Sequence, residues 1–230
     1  MSETAVSNLH RLPRDVAAQN LPGYVQQVLL EAILSRVLVP GERLLIDEIA
    51  GHFGISKIPV REAIKALEAS GWLDSRPRRG TYVRSLSPSE LQEVFEMRRV
   101  LEPFGARLAA ERRTEAHLAE LRELMAAGNE AIRARDLLET ARFNSRFHIV
   151  VAQACGNAIL SDTLQALQAR IRRYYAEIDW ATRRKSFAEH RQIYEALRDR
   201  DGEAAARITT EHVGHAWTMA RNTLEPKEPQ

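Results

Sequence analysis

Pro40 to Val83 reads PGERLLIDEIAGHFGISKIPVREAIKALEASGWLDSRPRRGTYV, and this stretch decides the fold of the N-terminal third of the chain. A short apolar helix is predicted over residues 45–53, and Gly54 follows it as a tight turn. Ser56 is the expected N-cap of a second helix. The apolar residues of that helix have the i, i+3, i+4, i+7 spacing of one buried face: Val60, Ala63, Ile64 and Leu67. Gly71 ends the helix, and a basic β-hairpin is expected next. Two helices joined by a short turn and followed by a basic hairpin are typical of a winged helix-turn-helix.

Basic side chains stand where such a unit would meet DNA. Lys57 and Arg61 lie in the first half of the second helix, where Lys and Arg can donate to O6 and N7 of guanine in the major groove. The other candidates, expected mainly at the DNA backbone and at the hairpin tip, are Arg43, Ser56, Lys65, Arg78, Arg79 and Gly80. Most runs of charge are only a solvated surface. Here the order of helix, turn, helix and basic hairpin favours double-stranded DNA as the partner.

Bulk properties exclude several classes of protein. The 230 residues suffice for two domains, and the net charge of +2 is carried by residues 1–86, which hold 11 basic and 9 acidic side chains. The single cysteine, Cys155, excludes a disulfide framework and is expected to be a small buried side chain. No apolar segment approaches the roughly 20 residues that span a bilayer. We therefore expect a cytoplasmic protein without a membrane partner.

Turn and capping signals divide the chain into domains. We expect a flexible arm over 1–20, a winged helix-turn-helix domain over 21–85, a linker over 86–89, an all-helical domain over 90–224 and a disordered tail over 225–230. In the linker, Ser87 is the expected N-cap and Pro88 the first helical residue. Amphipathic helices are predicted over 88–111, 115–134, 137–154, 158–179, 184–200 and 203–222, with Thr114 and Thr182 as caps and a bend at Pro103. The fold class is therefore mostly α, with an antiparallel helical bundle after the winged unit.

Histidines in the predicted bundle suggest a shared site. Asn144 and His148 are four residues apart on one helix, so they project from the same face. His190 and His212 lie 22 residues apart on two consecutive antiparallel helices, which brings them to similar heights. Three imidazoles and an oxygen donor form a reasonable set for Zn²⁺ or Ni²⁺. Buried histidines satisfied by hydrogen bonds would give the same pattern, and His215, one turn beyond His212, is a competing ligand.

Arg98 lies on the apolar stripe of the first bundle helix. A buried guanidinium needs an anionic partner, because burying it unpaired is costly. An internal acid, Glu102 or Glu96, would serve. The functional alternative is a bound small carboxylate, held bidentately by Arg98 as the effector-binding residue. Arg99 is expected to point away from the stripe, to the surface.

The winged segment resembles the GntR family of bacterial transcription regulators. The residues that carry the resemblance are Pro40-Gly41, Leu44, Ile49-Ala50, Phe53-Gly54-Ile55-Ser56, Pro59 to Ala63, Leu67, Gly71 and Gly80 to Val83. Lys57 and Ile58 depart from it, since the family usually has Arg and Thr there, which leaves the operator sequence open.

The six-helix region resembles the FCD effector domain of the FadR-like branch of that family. Such domains bind a metal through a carboxylate residue, a histidine four residues later and two further histidines at the interval seen here. This resemblance implies the metal ligands Asn144, His148, His190 and His212. Asn144 replaces the usual aspartate, which weakens the set by one negative charge.

These observations together predict a ligand-responsive transcription regulator, a homodimeric repressor that binds a palindromic operator and senses a small organic acid in a metal-containing bundle. It is not expected to be an enzyme. Two alternatives stay open: a metal-dependent hydrolase with a DNA-binding head, and a helical dimerisation module that senses nothing. The hydrolase lacks a clear general base, since Asn144 cannot titrate.

Overall fold

The computed structural model describes residue 12 and residues 20–85, 87–171 and 178–224. Nine helices and a small three-stranded sheet lie within these residues, which confirms the mostly helical fold class. The chain divides into two compact units, Met1–Leu86 and Ser87–Gln230. The predicted tail, and the predicted arm apart from positions 12 and 20, lie outside the described residues.

The N-terminal unit is a winged helix-turn-helix. Its elements are α1 (Leu21–Leu34), β1 (Arg43–Leu44), α2 (Ile46–Phe53), α3 (Lys57–Ala69), β2 (Leu73–Arg76) and β3 (Gly80–Val83). The strands are antiparallel in the order β1-β3-β2, and Arg76 pairs with Gly80 at the hairpin tip. The two-residue strand β1 has no pattern that a sequence could show, and it joins the hairpin by pairing Arg43 with Tyr82.

Local signals set the joint between α2 and α3. Gly54 ends α2 with a φ of 64°, a left-handed conformation that glycine adopts without steric cost. Ser56 is the N-cap of α3 in an extended conformation, but among the described residues of the first turn its side chain accepts no capping hydrogen bond. The apolar side chains predicted for the inner face of α3 are buried: Val60, Ala63, Ile64 and Leu67.

Six helices form the described part of the C-terminal unit. They are α4 (Pro88–Arg112), α5 (Glu115–Ala134), α6 (Leu137–Ala154), α7 (Ala158–Ile171), α8 (Trp180–Arg198) and α9 (Gly202–Leu224). Ser87 caps α4 by accepting from the Glu90 N–H at 3.3 Å, and α4 continues through Pro103 to Arg112. Apolar faces of these helices meet in one core, whose fully buried members include Leu121, Phe147, Val150, Cys155 and Leu197.

Two predicted boundaries near residue 180 were wrong. The predicted helix over 158–179 cannot include Asp179, because that residue has an extended backbone and is the N-cap of α8. Its carboxylate accepts from the Thr182 N–H at 2.9 Å, so Thr182 lies inside the first turn and is not the cap. Both Asp and Thr are good N-caps, and the earlier of the two starts the helix here.

None of the described helices has the length and apolar character needed to cross a bilayer.

Candidate functional site

The outer face of α3 presents the side chains that the sequence predicted for DNA contact. Lys57, Arg61 and Lys65 are exposed, whereas the opposite face of the helix is buried. The Lys57 Nζ lies 2.9 Å from the Asp47 Oδ2, and both side chains are largely in solvent. Such an exposed ion pair contributes little, so Lys57 can exchange it for a phosphate or a base.

Ile58 was not among the predicted contact residues, although it lies in the middle of this surface. Its side chain is 65% exposed, which is unusual for isoleucine in a folded domain. An exposed apolar side chain on a recognition helix can contact the methyl group of thymine. The sequence could have indicated Ile58 as a contact residue, since it lies between Lys57 and Arg61 on the side of the helix away from the buried stripe.

The hairpin tip holds three of the predicted basic residues. Arg78 has a φ of 61° in the turn, and its neighbour Arg79 is also exposed. The guanidinium of Arg43 lies against Gly80, where a Cβ atom would approach the Arg43 Nε to 2.9 Å. Gly80 therefore lets Arg43 reach the tip of the hairpin, and its φ of 107° also favours glycine.

Three buried histidines meet at the centre of the bundle. His148 comes from α6, His190 from α8 and His212 from α9, and one ring nitrogen of each lies within 4.8 Å of the other two. The Nε2 atoms of His148 and His190 are 3.2 Å apart. Tetrahedral zinc with Zn–N bonds of about 2.0–2.1 Å separates its ligand nitrogens by roughly 3.4 Å. The distance between His148 and His190 is therefore close to that between two ligands of one zinc ion.

A carboxylate orients the third ring. The Nδ1 of His212 lies 2.8 Å from Glu189 Oε2, which leaves the His212 Nε2 buried without a hydrogen-bond partner among the described residues. A carboxylate that accepts from one ring nitrogen fixes the tautomer in which the other nitrogen has a lone pair to donate. This arrangement is common behind metal-binding histidines.

His215, the competing candidate, lies outside the group of three. Its Nδ1 is 2.7 Å from the other oxygen of Glu189, and its side chain is half exposed. Burial alone would raise the pKa of Glu189, but hydrogen bonds and charge from His212 and His215 outweigh it and lower that pKa. Glu189 is thus an anion between two imidazoles, a role that the sequence analysis did not assign to it.

The site favours neutral imidazoles. Burial lowers the pKa of His148 well below its usual value, and the neighbouring charges of His190, His212 and Arg98 lower it further. The pKa of His190 is lowered by burial, then by His212 and Arg98. Metal ions bind the neutral ring, so protons compete weakly with a metal for these two side chains.

Arg98 is fully buried, and an internal acid is its partner. Its Nε lies 2.5 Å from the Glu102 Oε1 and its Nη2 lies 3.3 Å from the Glu102 Oε2. Of the two internal acids that the sequence offered, Glu102 is therefore the one that binds Arg98, and Glu96 is exposed. Arg99 is exposed, as predicted.

A cavity of about 30 Å³ lies beside the histidines, lined in part by Glu102, His148, Gln168 and Thr209. The Gln168 Nε2 donates a hydrogen bond to the Glu102 carboxylate at 3.1 Å. Because a carboxylate can only accept, the amide nitrogen of Gln168 must face Glu102 and the amide oxygen must face away. The Gln168 Oε1 and the Thr209 Oγ1 are buried without hydrogen-bond partners among the described residues. Sequence reasoning missed both, since a single Gln or Thr on a helix carries no signal of its own.

Asn144 is partly buried one turn before His148 on α6. Its position on that helix agrees with the predicted set of ligands, and its role as a ligand stays a prediction.

Comparison with known proteins gives the family. Residues 23–83 match the model described as bacterial regulatory proteins, gntR family, and residues 93–215 match the FCD domain. The chain is 31% identical over 176 residues to the Nta operon transcriptional regulator of Aminobacter aminovorans, covering 76% of this chain and 82% of that protein. It is 29% identical over 191 residues to the HTH-type transcriptional repressor RspR of Escherichia coli, covering 82% and 84%.

A solved structure shares the fold. Escherichia coli McbR/YncC superposes with a TM-score of 0.67 at 24% identity, covering 89% of this chain and 99% of that one. The gntR match falls on the winged unit, and the FCD match falls on the six-helix unit. The protein therefore belongs to the GntR family of bacterial regulatory proteins, with a C-terminal FCD domain, and is a DNA-binding transcriptional regulator.

Proposed function

We propose that this regulator is a homodimeric repressor whose helical domain binds a divalent metal ion and, through it, a small carboxylate effector. The observation that carries the proposal is the convergence of three buried imidazoles, His148, His190 and His212, in one chain with a DNA-reading unit. Repressors occur among its relatives, RspR being one by name.

The residues present fit a metal ion. The unpartnered His212 Nε2 faces no protein donor or acceptor among the described residues, and burying such an atom without a partner is costly. A metal would satisfy it. His148, His190 and His212 would supply three nitrogens and Asn144 one oxygen, a set suited to Zn²⁺ or Ni²⁺. The ion would contribute a positive charge that attracts a carboxylate.

Polar groups in the adjacent cavity would read the remainder of the effector. The Gln168 Oε1 can only accept a hydrogen bond, and the Thr209 hydroxyl can accept or donate one. An effector hydroxyl would satisfy them, so hydroxylated acids should bind better than their deoxy analogues. Glu102 repels an incoming anion and also holds Arg98. The effector carboxylate would bind Arg98 only where it takes the place of Glu102.

The DNA-reading surface would bind as a symmetric pair. A two-fold homodimer presents two copies of α3, which predicts a palindromic operator with half-sites about one helical turn apart. Arg61 and Lys57 would contact bases, and Arg43, Lys65, Arg78 and Arg79 would contact phosphates or the minor groove near the hairpin tip. Binding should weaken steeply as salt rises, because each phosphate contact releases counterions.

The experiment that tests the metal site is a titration of chelator-treated protein with Zn²⁺ and Ni²⁺, followed by calorimetry. We expect about one ion per chain. Asn144→Asp should bind the ion about tenfold or more tightly, because a carboxylate replaces a neutral amide, and His212→Ala should bind it 10- to 100-fold more weakly. Equal affinity in wild type and His212→Ala would exclude the site, whereas an unchanged affinity in Asn144→Asp alone would remove only Asn144 from it.

The repressor proposal is tested on the DNA upstream of the protein's own gene. Metal-loaded protein should form a specific complex at moderate salt, and a panel of small carboxylic acids should include one that shifts the affinity. The proposal would be contradicted if the protein formed no specific complex with that DNA and none with DNA selected from random sequence.

A further inference from the structure

Ile58 lies at the centre of the outward face of α3. The buried residues of this helix are Pro59, Val60, Ala63, Ile64 and Leu67. At about 100° per residue, Ile58 lies roughly 170° around the helix axis from the mean direction of that buried stripe. It is 65% exposed and is the second residue of α3. Its side chain is therefore presented at the N-terminal end of a recognition helix, which is the end that contacts base edges in the major groove.

Charged side chains surround this apolar one. Lys57, Arg61 and Lys65 are exposed. Arg61 lies about 60° from Ile58 around the axis, and Lys65 lies about 20° from it and roughly two turns further along. The exposed Glu62, on the other side, can accept from the N4 amino group of cytosine. An apolar protein partner would have to bury these charges unpaired, whereas a groove bordered by phosphates matches the cations.

The side chain of isoleucine makes no hydrogen bonds, which limits what it can recognise on a base. In the major groove adenine, guanine and cytosine present donors and acceptors, and thymine adds a methyl group on C5. Covering that methyl group removes apolar surface of both partners from water, whereas covering a donor or acceptor would remove its water without a replacement. A β-branched side chain also keeps one χ1 rotamer in a helix, so its methyl groups hold a fixed position along the groove.

We infer that Ile58 selects thymine at one position of each operator half-site, through the 5-methyl group of that base. This rests on the proposed binding to a palindromic operator and adds one base that the operator must contain. The threonine that is usual at this position in the family has a hydroxyl group that can bond to polar base edges. Isoleucine replaces that option with contact to a methyl group.

Deoxyuridine substitution tests the inference by removing only the methyl group. It leaves the base pair and all of its hydrogen-bonding groups unchanged. The operator is first obtained by selection from random duplexes with the full-length protein, and each thymine is then replaced together with its symmetry mate. At one such pair, replacement should weaken binding about fourfold per half-site, or about 15-fold in total, which is the effect of one buried methyl group at each half-site. Fluorescence anisotropy at constant salt measures each Kd.

Ile58→Ala identifies the side chain that makes the contact. On the unmodified operator this variant should bind about 15-fold more weakly than wild type, because it loses the same contact with the methyl groups. Removal of the methyl groups should then weaken its binding by less than about twofold, since the two changes remove one interaction. Ile159→Ala is the matched control, because Ile159 is 82% exposed on α7 of the C-terminal unit. It should lose as much affinity as wild type when the methyl groups are removed. Circular dichroism establishes that each variant is folded.

The outcomes separate this contact from DNA binding itself. If no deoxyuridine replacement changes the affinity of wild type, Ile58 does not read a thymine methyl group. The same conclusion follows if Ile58→Ala loses as much affinity as wild type when the methyl groups are removed, because another side chain then makes the contact. Both results leave the specific complex with DNA standing. If selection returns no preferred sequence, the contact and the proposed operator fail together.

Discussion

His212 presents its two ring nitrogens to different neighbours: Nδ1 to Glu189, and Nε2 to the side of the other two imidazoles. This division suits a metal ligand, because the carboxylate selects the tautomer whose other nitrogen has a lone pair. For His148 and His190, burial is the main cause of a lowered pKa; the neighbouring His212 and Arg98 lower both values further, and His190 also lowers that of His148. His148 and His190 therefore favour the neutral form, which has a lone pair to donate, in the absence of a metal.

This depression of pKa predicts how the stability of metal-free protein depends on pH. The folded pKa of His148 and His190 lies below the unfolded value near 6.5, so below that pH the unfolded chain binds protons that the folded chain does not. The free energy of unfolding should be greatest above about pH 7 and fall as the pH drops through 6.5. From pH 6.5 to 5.5 the two groups together should cost on the order of 1–3 kcal/mol.

Urea denaturation in the presence of a chelator measures this effect. His148→Gln should flatten the dependence below pH 6.5, since the glutamine does not titrate. A His148→Gln variant with the full wild-type slope would show that protonation of this ring does not contribute.

At the scale of elements, α3 and the β2–β3 hairpin present different side chains for the proposed contacts with DNA. The side chains of α3 that face out combine cations with the exposed Ile58, a mixture suited to base edges. The hairpin tip offers the exposed arginines Arg78 and Arg79, which suit phosphates. The two elements should therefore respond differently to mutation.

Arg61→Ala should cost about 1–3 kcal/mol on the operator and reduce the preference for it over scrambled DNA. Arg79→Ala should weaken binding to both DNAs by a similar factor and lower the salt slope by about one. Fluorescence anisotropy at several salt concentrations, with both duplexes, distinguishes the two. If Arg79→Ala lost the preference for the operator over scrambled DNA and Arg61→Ala kept it, the roles proposed for the two arginines would be reversed.

At the scale of the whole molecule, the proposed function requires that an effector bound in the helical unit change the affinity of the winged unit for DNA. Such a response needs the effector to bind two arrangements of the protein unequally, and a coupling of about 1–3 kcal/mol changes operator affinity roughly 5- to 150-fold. The helical unit begins at Ser87 with α4, the helix that carries both Arg98 and Glu102. A change at that ion pair thus occurs on the first helix after the winged unit.

We therefore predict that mutation can remove the response to the effector without removing DNA binding. His148→Ala should bind the operator within about threefold of wild type without effector and lose the response to it, because in the proposed site the effector carboxylate binds through the metal that His148 holds. Anisotropy titrations with and without the effector, on metal-loaded protein, measure both quantities. Glu123→Ala, at an exposed position of α5, is the control and should respond like wild type. A full response in folded His148→Ala would place the effector elsewhere.

Local patterns in the sequence determined the winged unit, the six helices and the spacing of the histidines. Gly54, Ser87 and the i, i+3, i+4, i+7 stripe of α3 act through the backbone and their neighbours in sequence, so their effects are visible without a structure. The resemblance to a family supplied the predicted set of metal ligands. Helix geometry alone did not decide whether His212 or His215 is the predicted ligand.

Only tertiary structure decided the pairings between side chains. It selected Glu102 over Glu96 for Arg98, joined Glu189 to His212 and His215, brought Gln168 and Thr209 to one cavity, and paired Arg43 with Tyr82. The physical reason is that burial and hydrogen bonding between helices depend on their rotation and depth of packing, and a periodic pattern fixes neither to within the 3 Å that a hydrogen bond requires.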